Sequence, residues 1–256
     1  MSGLGGVEPV GSRVAERSER NGGERSSGVR LRLAEAMLSD DRVADAYVAL
    51  LGELRLSPAL ASGNAVLVTS AAPGDGKTTV AACLSLTAAK AGRSVLLIDG
   101  DLRRATLTHD VGATGEAGLV ELLIGEIESG AFRVDSLDGG VSFLSGGAKP
   151  PAVLAALDWP KARGAFRSMT ERFGLVILDS PPVLAASDAL LFARIVDAVI
   201  LVVGAGDADL SQVKQAKEQL EAAGAPVVGA VLNRFGSRTH GPSHRPYSGY
   251  YREASR

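Results

Sequence analysis

The stretch from Ala65 to Ala91 limits the fold more than any other part of this 256-residue chain. Ala65-Val-Leu-Val-Thr69 is a short apolar run that empties into Ser70-Ala-Ala-Pro-Gly-Asp-Gly-Lys-Thr-Thr79, and a helical pattern follows over Thr79–Ala91. A strand, a Gly-rich turn and a helix in that order form a phosphate-binding loop. Gly74 and Gly76 let the backbone curl so that successive N–H groups face inward, the helix start adds its positive dipole end, and Lys77 reaches the outer phosphates. Pro73, Asp75, Thr78 and Thr79 complete the cradle, with Thr78 as the hydroxyl that faces a metal ion. One departure stands out: Ala71 occupies the place of the first glycine in the usual Gly-x-x-x-x-Gly-Lys-Thr pattern.

Two further apolar runs end in charge. Val95-Leu-Leu-Ile98 leads into Asp99-Gly-Asp101-Leu-Arg103-Arg104, and Gly174-Leu-Val-Ile-Leu178 into Asp179-Ser-Pro-Pro182. Carboxylates at the C-terminal ends of strands in an open α/β sheet stand at the ligand crevice. Asp99 and Asp101, two residues apart, suit metal coordination and proton acceptance, while Asp179 has the position of a Walker B carboxylate. Arg103 and Arg104 read equally well as phosphate contacts or as surface arginines.

Six short apolar runs are candidate strands: 65–69, 94–98, 141–144, 175–178, 198–203 and 227–232. Between them lie helical patterns at 79–91, 118–123, 151–173, 187–195 and 211–223. Strands that are apolar throughout have both faces covered, so the expected fold is α/β, a doubly wound and mostly parallel sheet. Ahead of it, apolar residues from Leu33 to Leu54 fall at helical spacing, as one amphipathic helix or a broken helix pair. The expected organisation is a disordered leader over 1–30, a helical segment over 31–58, the nucleotide-binding domain over 59–235 and a flexible tail over 236–256.

Composition removes several classes. With 46% apolar and 22% charged residues the chain can bury a substantial core, and a net charge of −2 gives no general attraction to nucleic acid. No secretory or membrane-spanning pattern is present, and the single cysteine, Cys83, fits a reducing cytoplasm as a buried apolar filler. Three histidines, two of them in the tail, offer no zinc constellation. Trp159, beside an expected helix irregularity at Pro160, reads as a packing or oligomer contact. Ser187 reads as a helix N-cap, Asp188 as a first-turn acid and Asp197 as a surface turn. Aromatics make up only 4% of the chain, yet of its four tyrosines Tyr247, Tyr250 and Tyr251 crowd near the end, in a basic stretch. Tyr47, the fourth, reads as a packed helix residue.

The trio 70–78, 96–104 and 176–182 resembles the Walker A, A′ and B set of the bacterial tyrosine kinases of capsule and exopolysaccharide assembly, within the P-loop MinD/ParA-like superfamily. The resemblance implies a protein-tyrosine autokinase using ATP and Mg2+, with Lys77, Asp99, Asp101 and Asp179 as its catalytic set. It implies Thr78, Asp99 and Asp179 at the metal, Asp99 or Asp101 as base, and Asn233 and Arg234 near the nucleotide base. It also implies phosphorylation of Tyr247, Tyr250 and Tyr251 in trans. The implied partners are a membrane-embedded polysaccharide co-polymerase that activates the kinase at the inner face of the plasma membrane, other copies of the chain in a homo-oligomer, and an opposing tyrosine phosphatase. The Glu-x-x-Arg-x-x-Arg stretch associated with ring formation is degraded: Asp45 keeps an acid, but Val48 and Leu51 replace the arginines. Two other readings remain, a weakly active nucleotide-binding scaffold and a ParA/MinD-like ATPase, although the second lysine of the latter's loop is Ala72 here.

Overall fold

The computed structural model describes residues 28–128, 134–206 and 208–235. At its centre is a sheet of seven strands: β1 (Ala65–Ser70), β2 (Val95–Asp99), β3 (Asp135–Leu137), β4 (Val141–Leu144), β5 (Leu175–Asp179), β6 (Ala198–Gly204) and β7 (Val227–Asn233). Their spatial order is β3-β4-β2-β5-β1-β6-β7, and every neighbouring pair is parallel except β3 with β4. The doubly wound α/β expectation therefore holds, with all six expected strands present. The short antiparallel β3 is additional.

Alternate residues of the inner strands feed two cores on opposite faces. Val66, Val68, Val95, Leu97, Leu175 and Ile177 point to one face, while Leu67, Leu96, Ile98, Val176 and Leu178 point to the other. The first face is covered by α1 (Val29–Met37), α2 (Asp41–Leu56) and α3 (Lys77–Lys90). The second is covered by α5 (Leu119–Leu123), α6 (Trp159–Thr170), α7 (Asp188–Phe192) and α8 (Leu210–Ala222). Between β2 and α5 the chain makes one further short helix, α4 (Thr106–Asp110).

The helical segment ahead of the sheet is the broken pair, not one helix. Ser39 turns its hydroxyl back to the Ala36 carbonyl, and Asp40 caps α2 by accepting the Arg42 N–H at 2.9 Å. The first helix begins at Val29, two residues inside the span 1–30 expected as a leader; residues 1–27 lie outside the described residues. Together α1 and α2 lie over the outer side of α3, which explains why that helix has almost no polar face. From Val80 to Ala88 it is buried all round, as expected of a helix packed on two sides. Cys83 and Tyr47 meet in this layer, both buried.

Several local expectations are corrected. The helical run expected over 151–173 divides into a 3-10 segment, Pro151–Ala156, and α6, because Asp158 caps a new helix and Pro160 sits in its first turn. Pro160 thus starts a helix without disturbing one, and the half-buried Trp159 packs on the second core. Ser187 occupies the N-cap place of α7 but its side chain makes no capping bond. Asp188 is buried and paired with Arg103 at 3.0 Å. Asp197 is no plain surface turn either: its carboxylate accepts the N–H groups of Asn64 and Ala65, each at 2.9 Å, and so pins the start of β1.

Candidate active site

The C-terminal ends of β1, β5 and β2 lie side by side, and the three sequence motifs meet there. Within the sheet Asp179 is the register partner of Val68 on one side and of Asp99 on the other. The segment after Asp179 then runs beside the phosphate-binding loop. Ser180 and Val183 donate their N–H groups to the carbonyls of Val68 and Ser70, at 3.2 and 2.8 Å. Thr69 donates its hydroxyl to the Pro181 carbonyl at 2.9 Å.

On the other flank, Gly100 allows the loop after β2 to come against β5. Its N–H donates to the Asp179 carbonyl at 2.7 Å, and a Cβ there would lie 2.6 Å from that same oxygen. Any side chain would therefore push the two acidic strand ends apart.

The acidic residues are held in different ways. Asp99 is buried and accepts three hydrogen bonds, from the Thr108 N–H and hydroxyl, both at 2.8 Å, and from the Asp101 N–H at 3.2 Å. Burial raises its carboxyl above the usual range, and these three donors pull the other way. Asp101 accepts the Arg104 N–H through Oδ1 at 3.2 Å and turns Oδ2 toward the buried Lys77 ammonium at 3.7 Å. Lys77, at the start of α3, thus bridges the first and second motifs.

Asp179 is the exception. Both its oxygens are buried without a hydrogen-bond partner. Burial raises its carboxyl to about 7, and the neighbouring Asp99 and Asp101 charges add to the rise while Lys77 opposes it. The Thr78 hydroxyl is near enough to favour the charged form slightly, though it falls short of a hydrogen bond. An orphaned buried carboxylate is costly, so a native site that keeps one is arranged for an ion or ligand. Asp179 with the Thr78 hydroxyl is a hard-oxygen donor set that fits a small divalent cation.

Other expected residues sit at the rim. Pro73 and Gly74 are exposed at the tip of the loop, and Thr79 is half-buried in the first turn of α3. The Asp75 carboxylate faces away from the cradle, accepting the N–H groups of Gly204 at 3.1 Å and Ala72 at 3.3 Å, so only its backbone is offered to a ligand. Asn233 and Arg234 lie beside the loop, with their side chains bonded to its carbonyls. Arg103, open between two readings in the sequence, pairs with Asp188. Thr108, the clasp on Asp99, was not anticipated; a threonine in a five-residue helix carries no local signal. Tyr247, Tyr250 and Tyr251 lie outside the described residues.

A Gly-rich loop between a strand and a helix, faced by carboxylates from two neighbouring strand ends, defines a P-loop nucleotide-binding protein. Residues 66–250 match the CobQ/CobB/MinD/ParA nucleotide binding domain family. Tyrosine-protein kinase YwqD of Bacillus subtilis is 33% identical over 66% of this chain and 72% of its own length. The putative tyrosine-protein kinase CapB of Staphylococcus aureus is 31% identical over 67% of this chain and 75% of its own. Among solved structures, the kinase domain of the Escherichia coli tyrosine kinase ETK aligns with a TM-score of 0.70 at 26% identity, covering 94% of this chain and 100% of that one. The septum site-determining protein MinD complexed with Mg-ADP, from Pyrococcus horikoshii, aligns more loosely, with a TM-score of 0.54 at 27% identity over 68% of this chain and 71% of that one. The chain belongs to the bacterial tyrosine-protein kinases within the CobQ/CobB/MinD/ParA family.

Proposed function

We propose that this chain is an ATP- and Mg2+-dependent protein-tyrosine kinase that phosphorylates Tyr247, Tyr250 and Tyr251 of a second copy. The observation that carries the reading is the convergence of Lys77, Asp99, Asp101 and the unpartnered Asp179 on three adjacent strand ends. Kinase relatives aligned over two thirds of the chain support it.

A tyrosine hydroxyl, with a pKa of about 10, is a weak nucleophile at neutral pH, so transfer needs a base and a stabilised phosphate. The loop N–H groups and Lys77 hold the negative charge of the transferring group. Thr78, Asp179 and Asp99 would hold Mg2+, which would supply charge neutralisation at the phosphates. The tyrosine oxygen bonds to the γ-phosphorus as the bond to the β,γ-bridging oxygen breaks, ADP departs, and the hydroxyl proton passes to a carboxylate of the Asp99/Asp101 pair. Lys77 moves from Asp101 to the phosphates when nucleotide enters, which frees the Asp101 Oδ2.

We place this unit, over 59–235, in polysaccharide export. There a membrane-embedded co-polymerase recruits it to the inner face of the plasma membrane and activates it, and a tyrosine phosphatase reverses its action. Among the described residues no helix is long and apolar enough to cross a membrane, which is consistent with recruitment through a partner. The test incubates the full chain with Mg-ATP, with and without the activator's cytoplasmic segment, and maps phosphate by mass spectrometry. Phosphotyrosine at the three positions that disappears in Lys77→Met supports the reading. Steady ATP hydrolysis with unmodified tyrosines would sink it in favour of a ParA/MinD-like ATPase, and nucleotide binding without turnover in favour of a scaffold.

A further inference from the structure

Two carbonyls of the phosphate-binding loop point away from the cradle, and each is held by a donor from the end of β7. The Arg234 guanidinium donates to the Gly74 carbonyl at 2.8 Å, and the Asn233 amide nitrogen donates to the Asp75 carbonyl at 2.9 Å. The Asn233 side-chain oxygen in turn accepts the Arg234 N–H at 2.9 Å, which fixes the orientation of the amide. Arg234 adopts a positive φ of 60°, a conformation that non-glycine residues rarely take.

The planarity of the trans peptide gives this clasp its meaning. The carbonyl of one residue and the N–H of the next point in opposite directions across a trans peptide. Holding the Gly74 carbonyl outward therefore turns the Asp75 N–H inward, and holding the Asp75 carbonyl outward does the same for the Gly76 N–H. Neither N–H has a hydrogen-bond partner among the described residues. Gly74 and Gly76 have φ of 94° and 90°, the backbone form of an anion-binding nest. The fit is close enough that a Cβ on Gly76 would lie 2.1 Å from the Asn233 amide nitrogen. A third tie, from the Asp75 carboxylate to the Gly204 N–H, anchors the same loop to the end of β6.

We propose that Asn233 and Arg234 are positioning residues that hold the 74–75 and 75–76 peptides with their N–H groups toward the phosphates. The ligand chemistry concerned is the polyphosphate common to all nucleoside di- and triphosphates. The proposal rests on the nucleotide-binding reading of this loop.

The test measures binding of ADP, GDP and inorganic tripolyphosphate, each with Mg2+, to the full chain by calorimetry. Asn233→Ala and Arg234→Ala are compared with Asn233→Gln and Arg234→Lys, which keep a donor, and thermal melting confirms that each variant is folded. Each alanine variant is expected to bind all three ligands, inorganic tripolyphosphate included, on the order of tenfold more weakly, the worth of one such hydrogen bond. Arg234→Lys restores most of the loss. Weaker ADP binding with unchanged tripolyphosphate binding would overturn the proposal in favour of a base contact, and unchanged binding of all three would also overturn it. Should Asn233→Ala fail to fold, the Arg234 pair decides alone. Wild-type protein that binds none of the three ligands would instead refute the nucleotide-binding reading.

Discussion

Asp179 shows what the site costs the fold. A carboxylate with both oxygens buried and unpartnered is destabilising until a cation meets it. In EDTA at pH 8, Asp179→Asn is therefore expected to melt higher than wild type, by the equivalent of about 1–3 kcal/mol, while phosphotyrosine formation is lost. Calorimetry showing an equal or lower melting temperature would mean that the carboxylate has a partner in the metal-free protein. Cys83 gives the opposite case, a buried group with no part in the chemistry. Burial pushes its thiol from an ordinary 9.0 up to about 11. The unfolded chain releases that proton first, so stability is lost as pH rises from about 9 towards 11, at about 1.4 kcal/mol per pH unit. The denaturant midpoint of Cys83→Ala should thus fall less steeply than that of wild type across this window, and parallel slopes would contradict the assignment.

At the scale of elements, α2 separates two positions that the sequence treats alike. Val48 and Leu51 both stand where the family resemblance led to an expectation of arginine, yet Val48 is 60% exposed and Leu51 only 6%. Leu51 packs into the layer between α2 and α3, so an arginine there buries an unpaired charge. Leu51→Arg is expected to lower stability by more than about 3 kcal/mol, and Val48→Arg to stay within about 0.5 kcal/mol; chemical denaturation of the two variants tests the contrast. The same element shows what the sequence could convey. The apolar spacing from Leu33 to Leu54 showed helix and left one helix or a broken pair open, but nothing local told that this pair would cover α3. The run over 151–173 misled because a 3-10 turn repeats apolar residues much as a helix does. The three-residue β3 and five-residue α4 were too short to show any period at all.

For the whole molecule, the sheet and the meeting of the three motifs at its strand ends were legible for the same reason. Strands such as Val95–Asp99 and Leu175–Asp179 are apolar until the residue that meets the crevice, so one pattern marks both the buried element and its acidic end. What supports the site was not legible. Thr108 on Asp99, Asp188 on Arg103 and Asn233 on the phosphate-binding loop are contacts made only once the chain has folded, and they span 9, 85 and 158 positions of sequence. The strand order adds a consequence for how the chain becomes a protein. In the finished sheet β1 and β2 do not touch; β5 lies between them, although more than a hundred positions separate the start of β1 from β5. A chain emerging from the ribosome holds the first and second motifs on strands that have no native edge in common until Leu175–Asp179 arrives. Insertion of that segment joins β1 to β2 and delivers Asp179 in one event, so no partly made sheet that lacks it brings the three motifs together.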